Sequence, residues 1–145
     1  MNFIKLIIIT ALLVTFSGIK AQSKFLNTIP DVKDVSLKTT LFFKDKKIEE
    51  AFTFLRTYWP IPDNEIDEVQ TKSIKSLNMV EERFGKTQGI LKVKEETIKD
   101  IAIRETYLVQ FEKTAIRLKF TYYKTPKGWI VNSFSWDDDF DKEFK

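Results

Sequence analysis

The chain has 145 residues, with 24 basic and 21 acidic side chains, and it contains neither histidine nor cysteine. The absence of histidine excludes imidazole-dependent catalytic triads and removes the commonest metal ligand. The absence of cysteine excludes disulfides, thiolate chemistry and a lipid-modified cysteine. The four glycines are dispersed, and the charge is nearly balanced. We therefore expect no phosphate-binding glycine loop, no cofactor, no metal and no nucleic-acid partner.

The first 21 residues have the outline of a secretory signal peptide. Lys5 precedes an apolar run over residues 6–14, and the small residue Ala21 stands where cleavage is expected, just before Gln22. The alternative is an uncleaved membrane anchor, but this run is shorter than the roughly 20 residues needed to span a bilayer. The sequence therefore predicts an exported protein, periplasmic or extracellular, with no membrane span after cleavage.

A single domain is expected to follow the signal peptide. The segment 22–33 is polar, contains Pro30 and lacks periodicity, so we interpret it as a linker. The remaining range, 34–145, suits one α+β domain with one core. Apolar residues occur at helical spacing from near Asp34. The polar residues 44–46 interrupt this pattern, which then resumes. The apolar residues of these two predicted helical stripes are Val35, Leu37, Leu41 and Phe42, followed by Ile48, Ala51, Phe52 and Leu55.

Two prolines end this helical region. Pro60 and Pro62 each lack an amide donor and bias the preceding residue away from helix. Residues at helical spacing, nearly all apolar, then run from Ile66 to Phe84 and predict a third helix, with Asp63 as its N-terminal cap. Gly85 follows at the position where a left-handed C-cap residue belongs.

The range 89–136 predicts four strands in succession, joined by three short turns. The alternation of apolar and polar residues is clearest in the second strand. Its odd-numbered positions, which share one face, include Ile103, Tyr107 and Val109, and polar residues occupy much of the other face. Two-faced strands of this kind are typical of an antiparallel sheet covered on one side. The order of elements predicts an α+β fold in which N-terminal helices pack on one face of a curved four-stranded antiparallel sheet.

Four groups of residues stand out in this order of elements: Ala51-Phe52 before Trp59-Pro60-Ile61-Pro62, Arg83-Phe84-Gly85, Phe111-Glu112-Lys113 and Trp129-Ile130-Val131-Asn132-Ser133-Phe134. They resemble exported bacterial proteins of the nuclear-transport-factor-two-like, or cystatin-like, superfamily. The resemblance extends from about Val35 to the C-terminus and implies the fold described above. It implies little about activity, because that superfamily includes isomerases, dehydratases, ligand carriers and interaction modules.

Two polar residues share the parity of the apolar strand face and are candidate site residues. Glu105 lies between Ile103 and Tyr107, and Asn132 lies in the fourth strand. A carboxyl group in a cavity between helices and sheet could serve as a general base, with Tyr107 or Tyr122 as proton donor. The alternative is that a β-bulge turns Glu105 to solvent, or that Arg104 or a tyrosine pairs with it. The predicted ligand-binding set is Glu105, Tyr107, Tyr122 and Asn132.

The opposite face of the sheet is predicted to be a contact surface. Aromatic, aliphatic and arginine side chains occupy the strand positions that alternate with the core positions. Protein interfaces are enriched in aromatic residues and arginine. The face suits a homodimer packed sheet to sheet, or an acidic partner protein. The alternative is a cation–π pair between Arg117 and Trp129 that leaves the chain monomeric. The predicted interface residues are Arg104, Leu108, Arg117, Tyr123, Trp129 and Val131.

Three hypotheses for the function remain at this stage. The first is an exported non-catalytic module that binds a small apolar ligand or a protein partner. The second is a small lyase or isomerase with Glu105 as its base. The third is a structural, self-associating domain of the cell envelope. An open cavity at Glu105 would favour the second hypothesis, and a core filled by aromatic rings would argue against it.

Overall fold

The computed structural model describes residues 23–144 and shows three helices followed by a curved, four-stranded antiparallel sheet. The predicted signal peptide, residues 1–21, lies outside the described residues. The predicted α+β fold is confirmed, with the helices packed against the sheet. The helices are α1 Ile29–Lys44, α2 Ile48–Arg56 and α3 Asp63–Phe84; the strands are β1 Thr87–Ile98, β2 Ala102–Phe111, β3 Ala115–Thr125 and β4 Gly128–Asp137; a short 3-10 helix spans Phe140–Glu143.

Helix α1 begins earlier than the sequence pattern indicates. Thr28 and Asp31 form a capping box, in which the Thr28 hydroxyl accepts from the Asp31 amide and the Asp31 carboxylate accepts from the Thr28 amide. Pro30 lies in the first turn, where its missing amide hydrogen costs nothing. Leu26 also exchanges two backbone hydrogen bonds with Trp129 of β4. The expected linker over 22–33 is therefore wrong from Leu26 onwards.

The buried face of α1 also differs from the prediction. Val35 is buried as expected, but Leu37 and Leu41 are about two-fifths exposed. The helix instead buries three small polar residues, and a search for apolar side chains alone does not find this face. The Thr40 hydroxyl bonds the Ser36 carbonyl one turn earlier, and the Ser36 hydroxyl bonds that of Tyr122 in β3. Its buried residues are Val32, Val35, Ser36, Thr39, Thr40 and Phe43. Helices α1 and α2 are separate, with Lys46 between them in the left-handed region at φ 60°.

The sheet is a simple antiparallel meander in the order β1, β2, β3, β4. A β-bulge in β4 changes which residues face the helices. Thr121 pairs with Ser133, but the next residue, Tyr122, pairs with Val131, so that Asn132 is the unpaired extra residue. The bulge inverts the alternation of β4. As a result Trp129 and Val131 face the helices on one side of it, and Phe134 does so on the other.

Aromatic rings fill the space between helices and sheet. Phe134 is the centre of this cluster, with its ring centroid 5.1 Å from that of Phe120, 5.6 Å from Phe43 and 5.8 Å from Phe52. The Trp59 ring lies 6.3 Å from Phe134 in an edge-to-face arrangement. Such pairs add to the stabilisation that comes from the buried apolar area.

We predict that Phe134→Ala destabilises the domain by about 3 to 5 kcal/mol, because it leaves a cavity against several aromatic rings at once. Urea denaturation followed by tryptophan fluorescence measures the loss. The neighbouring Ser133→Ala is the control, since Ser133 is exposed, and it should change the free energy of unfolding by less than about 0.5 kcal/mol. Equal midpoints for Phe134→Ala and the wild type would contradict this account of the core.

Candidate functional site

Glu105 points towards the helices and is completely buried. It lies in β2 opposite Phe120 of β3 and Glu95 of β1, and its side chain has no exposed surface. Carboxylate oxygen Oε1 accepts a hydrogen bond from the Lys92 ammonium. Oxygen Oε2 has no hydrogen-bond partner among residues 23–144. The predicted helix-facing orientation of Glu105 is confirmed, and its partner is Lys92 and not Arg104 or a tyrosine.

Lys92 belongs to a short chain of charges that runs from the core to helix α1. Its ammonium is 2.5 Å from Glu95 Oε2, and Lys33 of α1 reaches the same oxygen at 3.2 Å. A β-bulge at Val93 explains why Lys92 and Glu95 lie on the same face of β1. Lys92 pairs with Tyr107 and Glu95 pairs with Glu105, so both stand on the helix side of the sheet.

These contacts shift the pKa values of several groups. The hydrogen bond from Lys92 holds the pKa of Glu95 below its ordinary value of 4.5, an effect that burial opposes and Lys33 supports. Burial opposes the charge on Lys92, yet its two carboxylate partners raise its pKa on balance. Burial, with the nearby charge of Glu105, raises the pKa of Tyr107. Neutral Tyr107 and charged Lys92 are therefore the states expected at neutral pH.

Tyr122 is directed towards helix α1. Its hydroxyl lies 2.7 Å from the Ser36 hydroxyl, and it has no exposed surface. Burial is the main reason why the pKa of Tyr122 is raised well above its ordinary value. Thr40 donates to the Ser36 carbonyl at 2.7 Å. The hydroxyl of Tyr122 thus joins the sheet to α1, which is a structural task.

Asn132 does not belong to this group, and the prediction that it faces the helices together with Glu105 is wrong. It is the extra residue of the β4 bulge, and its side chain is exposed. Glu105, Tyr107 and Tyr122 are brought to one region of the helix-facing side of the sheet. None of these three lines any of four surface cavities formed by residues 23–144. The phenyl and indole rings of the core occupy the space that a substrate would need.

A cleft opens instead where the turn between α1 and α2 meets α3 and the sheet. It has a volume of about 200 Å³. The Lys46 ammonium contacts the Glu81 carboxylate, and both side chains line this cleft. The apolar lining residues are Phe43, Ile48, Ile74, Leu77 and Phe111, and the polar ones are Lys46, Glu49, Glu50, Asn78, Glu81 and Thr87. Apolar surface with a few polar groups is the usual composition of a small-molecule site.

The outer face of the sheet retains four of the six predicted interface residues. Arg104 and Tyr123 are exposed there, and Leu108 is half-buried. Arg117 is on the same face but is only 4% exposed. Its guanidinium donates to Asp137 Oδ2 at 2.6 Å and to Glu143 Oε1 at 2.8 Å. The C-terminal segment therefore covers Arg117.

Trp129 and Val131 are not on the outer face, so their prediction as interface residues is wrong. Both are buried in the core, because the bulge at Asn132 inverts the strand alternation on which that prediction relied. The alternative pairing of Arg117 with Trp129 is also not formed. The cation over the Trp129 ring is the Lys124 ammonium, at 5.9 Å from the ring centroid.

No protein-family model, curated protein or solved structure matches this chain. The resemblance described above accordingly stays an expectation based on sequence motifs. Within residues 23–144, no helix is both long enough and apolar enough to cross a membrane. The same part of the chain holds no cluster of three or more carboxylates placed to bind a metal ion.

We predict that Lys92→Met destabilises the domain by about 3 kcal/mol at neutral pH, because it leaves the buried Glu105 carboxylate without its cation. The double variant Lys92→Met, Glu105→Gln should recover most of this loss, since no buried charge remains. Denaturant midpoints of the two single variants and the double variant measure the coupling. Additive effects of the two substitutions would show that Lys92 and Glu105 do not interact.

The lowered pKa of Glu95 predicts a pH dependence. A carboxyl group with a lowered folded pKa stabilises the native state above its unfolded pKa, and this contribution is lost as the pH falls through the folded value. The free energy of unfolding should therefore fall less in Glu95→Gln than in the wild type between about pH 6 and about pH 3. Urea denaturation across this range is the measurement, and parallel profiles would contradict the assignment.

Proposed function

We propose that this chain is an exported, non-catalytic binding module of the nuclear-transport-factor-two-like, or cystatin-like, superfamily. The exported location rests on the signal-like residues 1–21, and the superfamily rests on the motifs and the order of elements. The proposed ligand is small and largely apolar, and it occupies the cleft between the α1–α2 turn, α3 and the sheet.

The environment of Glu105 is the observation that carries the non-catalytic part of this proposal. A general base must come within hydrogen-bonding reach of a substrate proton. Glu105 is engaged by Lys92, has no exposed surface and lines none of the four surface cavities described for residues 23–144. Tyr122, one of the two candidate proton donors, is occupied by Ser36. This geometry favours binding over the lyase or isomerase hypothesis.

The lining of the cleft indicates the chemistry of the ligand. Its volume of about 200 Å³ exceeds the roughly 150 Å³ of a cavity that holds one benzene ring. Three glutamates but one lysine line the cleft, and that lysine contacts Glu81. A ligand with one apolar ring and an ammonium group would complement the apolar floor and compete with Lys46 for the Glu81 carboxylate.

Titration with phenylethylammonium, followed by amide NMR chemical shifts, tests the cleft. We expect saturable shifts at the cleft residues, and weaker binding of phenylpropionate, whose charge is opposite. Asn78→Trp should abolish the shifts, because Asn78 is exposed and lines the cleft. Met79→Trp is the matched control, since the neighbouring Met79 is also exposed and lines a different cavity. Absence of saturable shifts with both probes at millimolar concentration would contradict this ligand class.

Self-association through the outer sheet face is a second candidate function, in keeping with a structural role in the cell envelope. The observation that favours it is the combination of exposed Tyr123 and Arg104 with half-buried Leu108 on one face. The same residues would suit an acidic partner protein. Tyr123→Glu should then lower the sedimentation coefficient of a dimer to that of a monomer, whereas an unchanged monomer would remove the homodimer.

A further inference from the structure

Another cleft opens between the segment before α1, helix α1 itself and the end of α2, and aromatic rings form part of its wall. Its volume is about 470 Å³, which is within the range of small-molecule sites. Phe25, Phe54 and Tyr58 line it, and each of these side chains is partly exposed. We name it the aromatic cleft. It shares no lining residue with the cleft beside the α1–α2 turn.

The fold brings these rings together from two segments. Phe54 and Tyr58 are one turn apart at the end of α2, so they lie on the same side of it. Their ring centroids are 5.7 Å apart, and their planes are nearly perpendicular at 83°. Phe25 is held beside them, because the amide of the preceding residue, Lys24, donates to the Thr57 carbonyl at 2.8 Å. The rings therefore form adjoining walls of one cleft.

Lys38 of α1 shows that these rings accept an ammonium group. Its ammonium lies 4.6 Å from the centroid of the Phe54 ring and 5.9 Å from that of Phe42, and Lys38 also lines the aromatic cleft. The electron-rich face of an aromatic ring attracts a cation in this position. A trimethylammonium group suits such a face still better, because its methyl groups bury apolar surface and it has no N–H bonds to water that binding would break.

The charged side chains that line the aromatic cleft are balanced, with two lysines and two aspartates. Lys38 rests on the rings, and Asp31 is occupied by the cap of α1. Lys24 and Asp34 remain, and both are exposed. Neither forms an ion pair with another residue among 23–144. A ligand with one cationic and one anionic group would complement these two side chains.

We propose that the aromatic cleft binds a small zwitterion in which a short chain joins a trimethylammonium group to a carboxylate. The trimethylammonium group lies against the rings of Phe54 and Tyr58, on the side of Asp34. The carboxylate of the ligand accepts from the Lys24 ammonium, and the Lys38 ammonium leaves the Phe54 ring when the ligand binds. A zwitterion suits this lining better than a simple cation, which both lysines would repel. The proposal does not depend on the ligand of the cleft beside the α1–α2 turn.

Titration with glycine betaine, followed by NMR chemical shifts, tests the ligand class. We expect saturable shifts at Phe25, Phe54 and Tyr58. The tert-butylacetate anion is the matched control, because it keeps the shape and the carboxylate of betaine but has a neutral carbon in place of the nitrogen. It should bind about five- to thirtyfold more weakly, since it loses the attraction of two ring faces. Equal affinities for the two compounds, or no saturable shifts with betaine at high millimolar concentration, would overturn the proposal.

Substitutions at two positions test how the cation is held, with circular dichroism to confirm that each variant is folded. Tyr58→Leu should weaken betaine binding by about two- to fivefold, whereas Tyr58→Phe, which keeps the ring, should bind as the wild type does. Lys38→Met frees the face of Phe54 and should tighten binding by a similar factor.

Asn78→Trp separates the two clefts, because Asn78 lines only the cleft beside the α1–α2 turn among the four described. It should leave betaine binding unchanged. Loss of binding in Asn78→Trp would place betaine in that cleft and overturn the proposal. Weaker binding to Lys38→Met, or equal binding to Tyr58→Leu and Tyr58→Phe, would also overturn it.

Discussion

The burial of the Glu105 carboxylate is the constraint on which the pairing of the first two strands depends. A charge without solvent is costly unless a cation reaches it, and Lys92 is that cation. Lys92 faces the helices only in the observed register, because a shift of one residue would turn it to the outer face. We infer that this ion pair contributes more to the register of β1 on β2 than to net stability, since buried pairs often gain little over apolar packing.

The aromatic core limits the space that is available beside Glu105. The interval between helices and sheet is where a ligand would meet Glu105, yet Phe134 and its neighbours fill it. Space for a ligand remains towards the periphery of this core, where the cleft beside the α1–α2 turn is one such place. Lys46 adopts a left-handed backbone conformation at that turn, which residues with a side chain seldom do. The amide of the following residue, Lys47, donates to the Phe42 carbonyl, so this conformation ends helix α1 and places Lys46 in the lining of the cleft.

The sequence predicts the order of elements and the helix-facing residues of β2 and β3, because strict alternation persists in strands without a bulge of their own. It fails for β4, where the bulge at Asn132 moves Trp129 and Val131 from the predicted outer face into the core. Lys92 was missed for the same physical reason, since its position beside Glu105 depends on the bulge at Val93. The position of a β-bulge cannot be read from the alternation of apolar and polar residues within one strand, because it depends on how that strand pairs with its neighbour.

The bulge at Val93 connects the interior of the domain with its edge. A bulge at a sheet edge ordinarily discourages pairing, because it bends and twists the strand away from a regular partner. The regular strand β2 pairs with β1 on both sides of this bulge, because Val93 is left as the extra residue between Lys92, which pairs with Tyr107, and Lys94, which pairs with Thr106. The bulge therefore places Lys92 and Glu95 on the same face without a matching irregularity in β2. Deleting Val93 would restore regular alternation and turn either Lys92 or Glu95 to the outer face, so it should break the chain of contacts that joins Glu105, Lys92, Glu95 and Lys33.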